Sequence, residues 1–225
     1  DIPKNALMKN DLAILNILAA NKWQRPICFT MSYGELGFQN YLRRNGLVYS
    51  LVPIANNSGT NTDEMYNLVT NKDKWAYGNA NIPGVYFDEE NRRHLDDIRE
   101  ADADVAFNLA IQNKNTEAIK VLQQSDKMML QENFAYGYTS RSNAHNRVSL
   151  SFLQACYKAG EKELAAKVFS SLKKDIEQQK RYYESLSDLR AENMQYEKQQ
   201  NDELLQQLMQ LQQVFNPAAP SVNEK

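Results

Sequence analysis

The sequence predicts an α+β protein, mainly α. A small βαβ-like unit comes first, then tetratricopeptide-like helical hairpins, then a long C-terminal helix. Three observations predict this. Strand-type runs occur only before residue 88. Two helical segments repeat without a gap at an offset of 47 residues, from Asn113 to Gly160. Residues 176–215 contain no Pro and no Gly. The 225 residues suit one domain of ordinary size or two small ones, and 42% apolar content with 12 Tyr and 8 Phe supports a real core. The expected division is 1–88 for the α/β unit, 89–175 for the hairpins, 176–215 for a long helix or kinked helix pair, and 216–225 for a disordered tail.

The elements follow in chain order. Asp11 can cap a helix through Ala20, with Leu12, Ile14, Leu15 and Leu18 as an apolar stripe. Pro26 ends any helix there, and residues 27–31 (Ile-Cys-Phe-Thr-Met) read as a short strand. Gly34 and Gly37 open a second predicted helix carrying Leu36, Phe38, Tyr41 and Leu42. Asn45-Gly46 stops it as a helix C-terminus. Residues 47–54 then alternate as a strand, completing the βαβ-like order. Residues 56–61 (Asn-Asn-Ser-Gly-Thr-Asn) form a loop, and Thr62 or Asp63 caps a short helix around Met65, Tyr66 and Leu68. Val85-Tyr86-Phe87 is a candidate third strand.

The second half has helical periodicity. Segments 101–113 and 117–129 make one hairpin, and 148–159 and 161–175 make another. Asn113 and Gly160 occupy equivalent turns, where a left-handed residue ends a helix. Ala118 and Ala165 are small enough for close helix approach. Val121/Leu122 and Val168/Phe169 supply the stacking face, as in tetratricopeptide arrays. The usual period is about 34 residues, so about 13 extra residues fall around 132–141. Two hairpins need a cover, which the last helix provides through Leu204, Leu208, Leu211 and Phe215. Its earlier stripe is Tyr182, Tyr183, Leu186 and Leu189, and the stripes join poorly through 193–201. The Gln-rich face reads as solvated, with a coiled-coil dimer as the alternative.

The chemistry-bearing residues are sparse. With 26 basic against 28 acidic residues the net charge is -2, which gives no argument for nucleic-acid binding. Cys28 and Cys156 have no metal-ligand spacing and read as two buried free thiols, with a disulfide between them as the alternative. No metal and no cofactor is expected. His94 and His145 both read as polar surface or capping residues. Gly34-Glu-Leu-Gly37 is too short for a phosphate loop. Asp96/Asp97 and Asp102/Asp104 read as solvated helix carboxylates rather than a hydrolytic pair. Phe134, Tyr136 and Tyr138 are the candidate binding residues, as aromatics that could stack on a peptide or sugar or pack between the hairpins. No apolar run reaches the roughly 18 residues of a membrane span. The longest, 12–20, is interrupted by Asn16.

Several stretches, in order, resemble a family of large bacterial multi-spanning membrane proteins of unknown function, related to protein O-mannosyltransferases. They include residues 12–29 with Trp23, Arg25-Pro26-Ile27 and Phe29, then Leu36-Gly37, Gln39-Asn40-Tyr41-Leu42 and Gly46-Leu47 through Pro53. Asn61-Thr62-Asp63, Met65-Tyr66, Asn91-Arg92-Arg93, Tyr157 with Gly160, and Tyr182-Tyr183 with Ser185-Leu186 complete the series. The resemblance implies a glycosyltransferase-like membrane part on the N-terminal side that carries the chemistry, and a soluble C-terminal domain facing the periplasm. On that reading this chain is a non-catalytic accessory or binding domain for a protein or polypeptide partner. It carries no catalytic residue, and its link to the membrane is a part it does not contain. Two alternatives stay open. One is a small hydrolase or transferase site formed by Trp23, Tyr33, Asp63 and His94. The other is a purely structural oligomerisation role.

Overall fold

Eight α-helices and one small sheet make up the described residues, 5–55 and 59–215 of this computed structural model; Asp188 is described by its backbone alone. The expected tail at 216–225 and residues 56–58 of the expected loop lie outside them. The architecture is α+β, mainly α. The chain divides into two compact units, Asp1–Lys74 and Trp75–Lys225.

In the first unit, Asp11 organises helix α1 (Lys9–Asn21). It sits in the first turn instead of at the cap. Its Oδ2 accepts from the Met8 backbone N–H at 2.9 Å, and its Oδ1 accepts from the Tyr33 hydroxyl at 2.6 Å. One buried carboxylate thus satisfies an orphan helix donor and ties the following segment to the helix. Tyr33 stacks on Phe29, with ring centroids 5.4 Å apart.

The sheet corrects the βαβ expectation. Strands β1 (Cys28–Phe29), β2 (Leu42–Asn45) and β3 (Val48–Leu51) lie in the order β1-β3-β2, and both pairings are antiparallel. The predicted helix over 34–42 is absent; only a single 3-10 turn forms at Gln39–Tyr41. Asn45-Gly46 is the reason. The pair suits a helix end, but here Asn45 closes β2 opposite Val48 and Gly46 opens a two-residue turn with Leu47, which a glycine at its first position suits. Gly46 takes φ +66° at that turn. Its N–H points at the Met65 sulfur at 2.8 Å, which seats the hairpin on helix α2 (Thr62–Val69). Leu42, Leu51, Met65 and Val69 form the small core. Cys28 lies exposed beside Ser50, so only Cys156 is the buried thiol expected; both are free.

The second unit begins earlier than residue 88. Val85-Tyr86-Phe87 forms no strand. The segment from Trp75 is instead tied to the helical part. The Tyr77 hydroxyl donates to Asp102, and the Ala80 carbonyl accepts from the Leu130 N–H and the Asn133 amide. Helix α3 (Glu89–Ile111) is capped by Asp88, whose carboxylate accepts from the Asn91 N–H at 2.9 Å. That bond holds the Asp88 pKa below the usual carboxylate range. A turn through Asn113, at φ 61°, leads into α4 (Asn115–Met128). Helix α5 (Ala144–Ala159) passes through Gly160, at φ 82°, into α6 (Lys162–Glu184). Ala118 and Ala165 are buried where the helices meet. Helix α3 packs on both α4 and α5, and α5 on α6.

The terminal helix is shorter than expected. Residues 176–184 belong to α6, which ends at Ser185; α7 (Asp188–Asn193) and α8 (Gln195–Phe215) follow. The chain breaks twice: at Ser185–Ser187, where the Ser185 hydroxyl donates to the Tyr182 carbonyl, and at Met194, within the expected joint at 193–201. Leu204 and Leu208 of α8 are fully buried against α5 and α6, while Phe215 stacks on Tyr157 at 5.3 Å.

Candidate functional site

The extra residues between the hairpins build the candidate site. Residues 134–139 are pinned by side chains from four helices, α3, α4, α5 and α6. The Arg99 guanidinium of α3 donates to the carbonyls of Phe134 (3.0 Å) and Ala135 (3.2 Å) and to Ser149 Oγ (3.2 Å). It also lies between the Phe134 and Tyr136 rings, 4.2 and 4.5 Å from their centroids. The Tyr136 hydroxyl donates to Asp126 of α4 at 2.9 Å, and Lys167 of α6 pairs with the same carboxylate. The Gly137 N–H donates to Ser171 Oγ, the Tyr138 N–H to Asn146 Oδ1, and Thr139 Oγ1 to Asp175.

These contacts decide where the three candidate aromatics stand. Phe134 and Tyr136 are 2% and 1% exposed and are core residues. They cannot stack on a ligand without unfolding the segment that holds them. Burial pushes the Tyr136 hydroxyl well above its ordinary pKa, so it stays a neutral donor. Tyr138 alone keeps an accessible edge. Arg92 of α3 donates to its hydroxyl at 2.6 Å and covers its ring at 4.6 Å.

Tyr138 lines a cleft of about 620 Å³. Arg92, Arg141 and Tyr183 face it, with Glu89 and Glu197 as acceptors. Ser140 and Ser142 add hydroxyls from the loop. Beneath it lies a knot of amides. Gln179 Nε2 and Asn146 Nδ2 both donate to Asn143 Oδ1 and to Asp175 Oδ2; Asn143 Nδ2 donates to Asn201 Oδ1 of α8 at 3.4 Å, and Asn201 Nδ2 donates to the Ile176 carbonyl at 3.0 Å. Ser142 and Asn143 adopt φ 55° and 53°, and Asn143 is buried. The knot holds this left-handed pair in place. It joins α5, α6 and α8 at one point, which fixes the cleft wall.

His145 corrects the expectation of a surface residue. It is 1% exposed. Its Nε2 donates to the Ala135 carbonyl at 2.8 Å, and its Nδ1 lies 2.8 Å from Asp96 Oδ1 on the cleft floor. Phe134 and Tyr138 meet it edge-on. It is a brace for the loop. His94 is exposed on α3, as expected. Asp102, read as solvated, is fully buried.

Gly137 shows how tightly the loop sits. A Cβ there would lie 2.2 Å from the Ser171 carbonyl oxygen and 2.7 Å from its carbon. Gly137→Ala is therefore expected to cost about 3 kcal/mol, because backbone must move and the bond to Ser171 is lost. Thermal unfolding of the variant checks this. An unchanged Tm would mean that the loop does not rest on α6.

The residues of the expected small enzyme site do not share a unit. Trp23, Tyr33 and Asp63 belong to the first and His94 to the second. The Tyr33 hydroxyl is already committed to Asp11, and Trp23 is exposed at the end of α1. Among the described residues, no group of three or more His, Cys, Asp or Glu could hold a metal ion. No helix among them is long and apolar enough to cross a membrane. Sequence reading missed Arg92, Arg141 and the amide knot as parts of one site. Four of the knot's five members are Asn or Gln in a chain rich in both, so residue type carried no signal.

Comparison with known proteins adds one finding. A family model described as TMEM260-associated domain 2 matches residues 1–72, about a third of the chain and nearly all of the first unit. No curated protein and no solved structure matches.

Proposed function

We propose that the chain is a non-catalytic binding part of a glycosyltransferase-like membrane protein, and that the cleft beside Tyr138 holds an extended polypeptide. The observation that carries this is the cleft itself. Arginine donors, hydroxyls and tyrosine rings line one groove whose backing loop is fixed before any ligand arrives. A preorganised groove of this composition suits a peptide. Arg92 and Arg141 can donate to backbone carbonyls, Glu89 and Glu197 can accept from amides, and Tyr138 and Tyr183 offer apolar area at little entropic cost.

The membrane context rests on the family match over the first unit and on the ordered motifs of the whole chain. On this reading the helical hairpins are a tetratricopeptide-like array, an N-terminal membrane part does the glycosyl transfer, and the domain stands on the periplasmic side of the inner membrane. Its partner is then the acceptor polypeptide or a protein that delivers it.

The test is binding of the full chain to an immobilised library of unstructured peptides, with an oligosaccharide array in parallel. Tyr138→Ala combined with Arg92→Ala is expected to weaken peptide capture at least about tenfold while leaving the fold intact. Tyr136→Ala is the wrong probe, since it removes core. Capture of sugars alone, or peptide capture unchanged by the double variant, would overturn the proposal.

A further inference from the structure

Helix α1 is apolar on two sides, and its own unit covers one. At 3.6 residues per turn, Asp11, Ile14, Leu15 and Leu18 share the inward side and are buried or half-buried. Leu12, Ala13, Ile17 and Ala20 share the opposite side and are exposed, with Leu12 at 49% and Ile17 at 55%. The exposed apolar surface continues past both helix ends, through Met8 at 64% and Trp23 at 54%. A helix with this distribution has two apolar partners.

The charges identify the second one. The only acid in α1 is Asp11, which is buried with both oxygens engaged. Among the described residues, the exposed charges on the helix and its flanks are Lys9, Lys22 and Arg25, and none of them forms an ion pair there. The outward surface is thus aliphatic in the middle, cationic at both ends and marked by an exposed tryptophan. That is the composition of a segment lying at the boundary between lipid headgroups and acyl chains. Thirteen residues are too few to cross a bilayer, which needs roughly 20, so a helix of this length can meet a bilayer only along its surface. A protein partner would need hydrogen-bonding groups around the contact, and within the helix this face carries only Asn16 in its middle and Lys9 at its N-terminal end.

We infer that α1 and its flanks seat the first unit on an anionic lipid surface. Leu12, Ile17 and Trp23 enter the acyl boundary, and Lys9, Lys22 and Arg25 meet the phosphates. The inference stands apart from the polypeptide cleft, which belongs to the other unit.

The experiment is flotation of the full chain with vesicles of phosphatidylcholine alone and of equal parts phosphatidylcholine and phosphatidylserine, at low and high salt. Binding is expected on the anionic vesicles, with a blue shift of Trp23 emission that Trp23→Phe removes. Leu12→Gln with Ile17→Gln should reduce binding at least about tenfold, since each side chain forfeits burial in the bilayer. These sites are exposed, so the fold and peptide capture should be unchanged. No binding to either vesicle, or equal binding by the double variant, overturns the inference. So does a concentration-dependent dimer that the same variant abolishes, which would assign the face to a second copy of the chain.

Discussion

Arg99→Lys is expected to lower the unfolding free energy by about 3 kcal/mol, read as a lower denaturant midpoint at unchanged slope. The guanidinium is fully buried, and no carboxylate bonds to it directly. Its charge is met by two backbone carbonyls, the Ser149 hydroxyl and the faces of two rings. Desolvation therefore pulls its pKa down, while Asp96, Asp126 and Asp102 act on it through space. A planar fork can satisfy two adjacent carbonyls while lying flat between rings. An ammonium cannot do both, and lysine would leave one carbonyl dry and the ring sandwich unfilled. Backbone amides of 134–138 should lose hydrogen-exchange protection first, because that segment hangs on Arg99. Arg93→Lys is the control. Arg93 makes only exposed pairs with Glu89 and Glu90, and its replacement should move stability by less than about 0.5 kcal/mol. Equal effects at the two positions would refute the account of the loop.

The helical half was legible because its signals were local. Asn113 and Gly160 do adopt left-handed φ at the two turns. Ala118, Ala165, Leu204 and Leu208 are buried as their spacing required. The first unit was harder. Asn45-Gly46 is compatible with a helix end and with a hairpin, and only pairing with β3, sealed by the Met65 sulfur, selects the hairpin. Tyr77 and Ala80 carried no local signal because their partners on α3 and beyond lie far off in sequence. The cleft was half legible. Tyr138 was visible as one of three aromatics, but nothing local distinguishes it from Phe134 and Tyr136. What separates them is Arg99, 35 residues before Phe134, which draws two rings into the core and leaves the third at the surface. His145 follows the same logic. A histidine after a polar loop looks exposed until Ala135 and Asp96 are brought to its two nitrogens.

Asp102→Asn is expected to change how stability depends on pH. Asp102 lies inside α3 with no exposure. Burial raises its pKa to about 7, against the pull of the nearby Ser125 hydroxyl, the hydrogen bond from Tyr77, the nearby Trp75 indole and the charge of Arg99. The folded state therefore holds a proton that the unfolded chain releases near pH 3.8. Between those values the native state binds more protons, so stability falls as pH rises, and the fall is complete once the folded pKa is passed. Integrated over that window, the loss is about 4 kcal/mol. Below pH 3.8 both states are protonated and the penalty vanishes. Asparagine keeps an acceptor for Tyr77 at nearly the same volume and cannot ionise. At pH 4 the variant should match the parent within about 1 kcal/mol, and at pH 8 it should be the more stable by several. Urea denaturation at the two pH values measures both. Parallel pH profiles would mean that water or a cation reaches the carboxylate and that the ionised form is native. A variant weaker at both values would mean that the Tyr77 bond, and not the desolvated charge, dominates at this position.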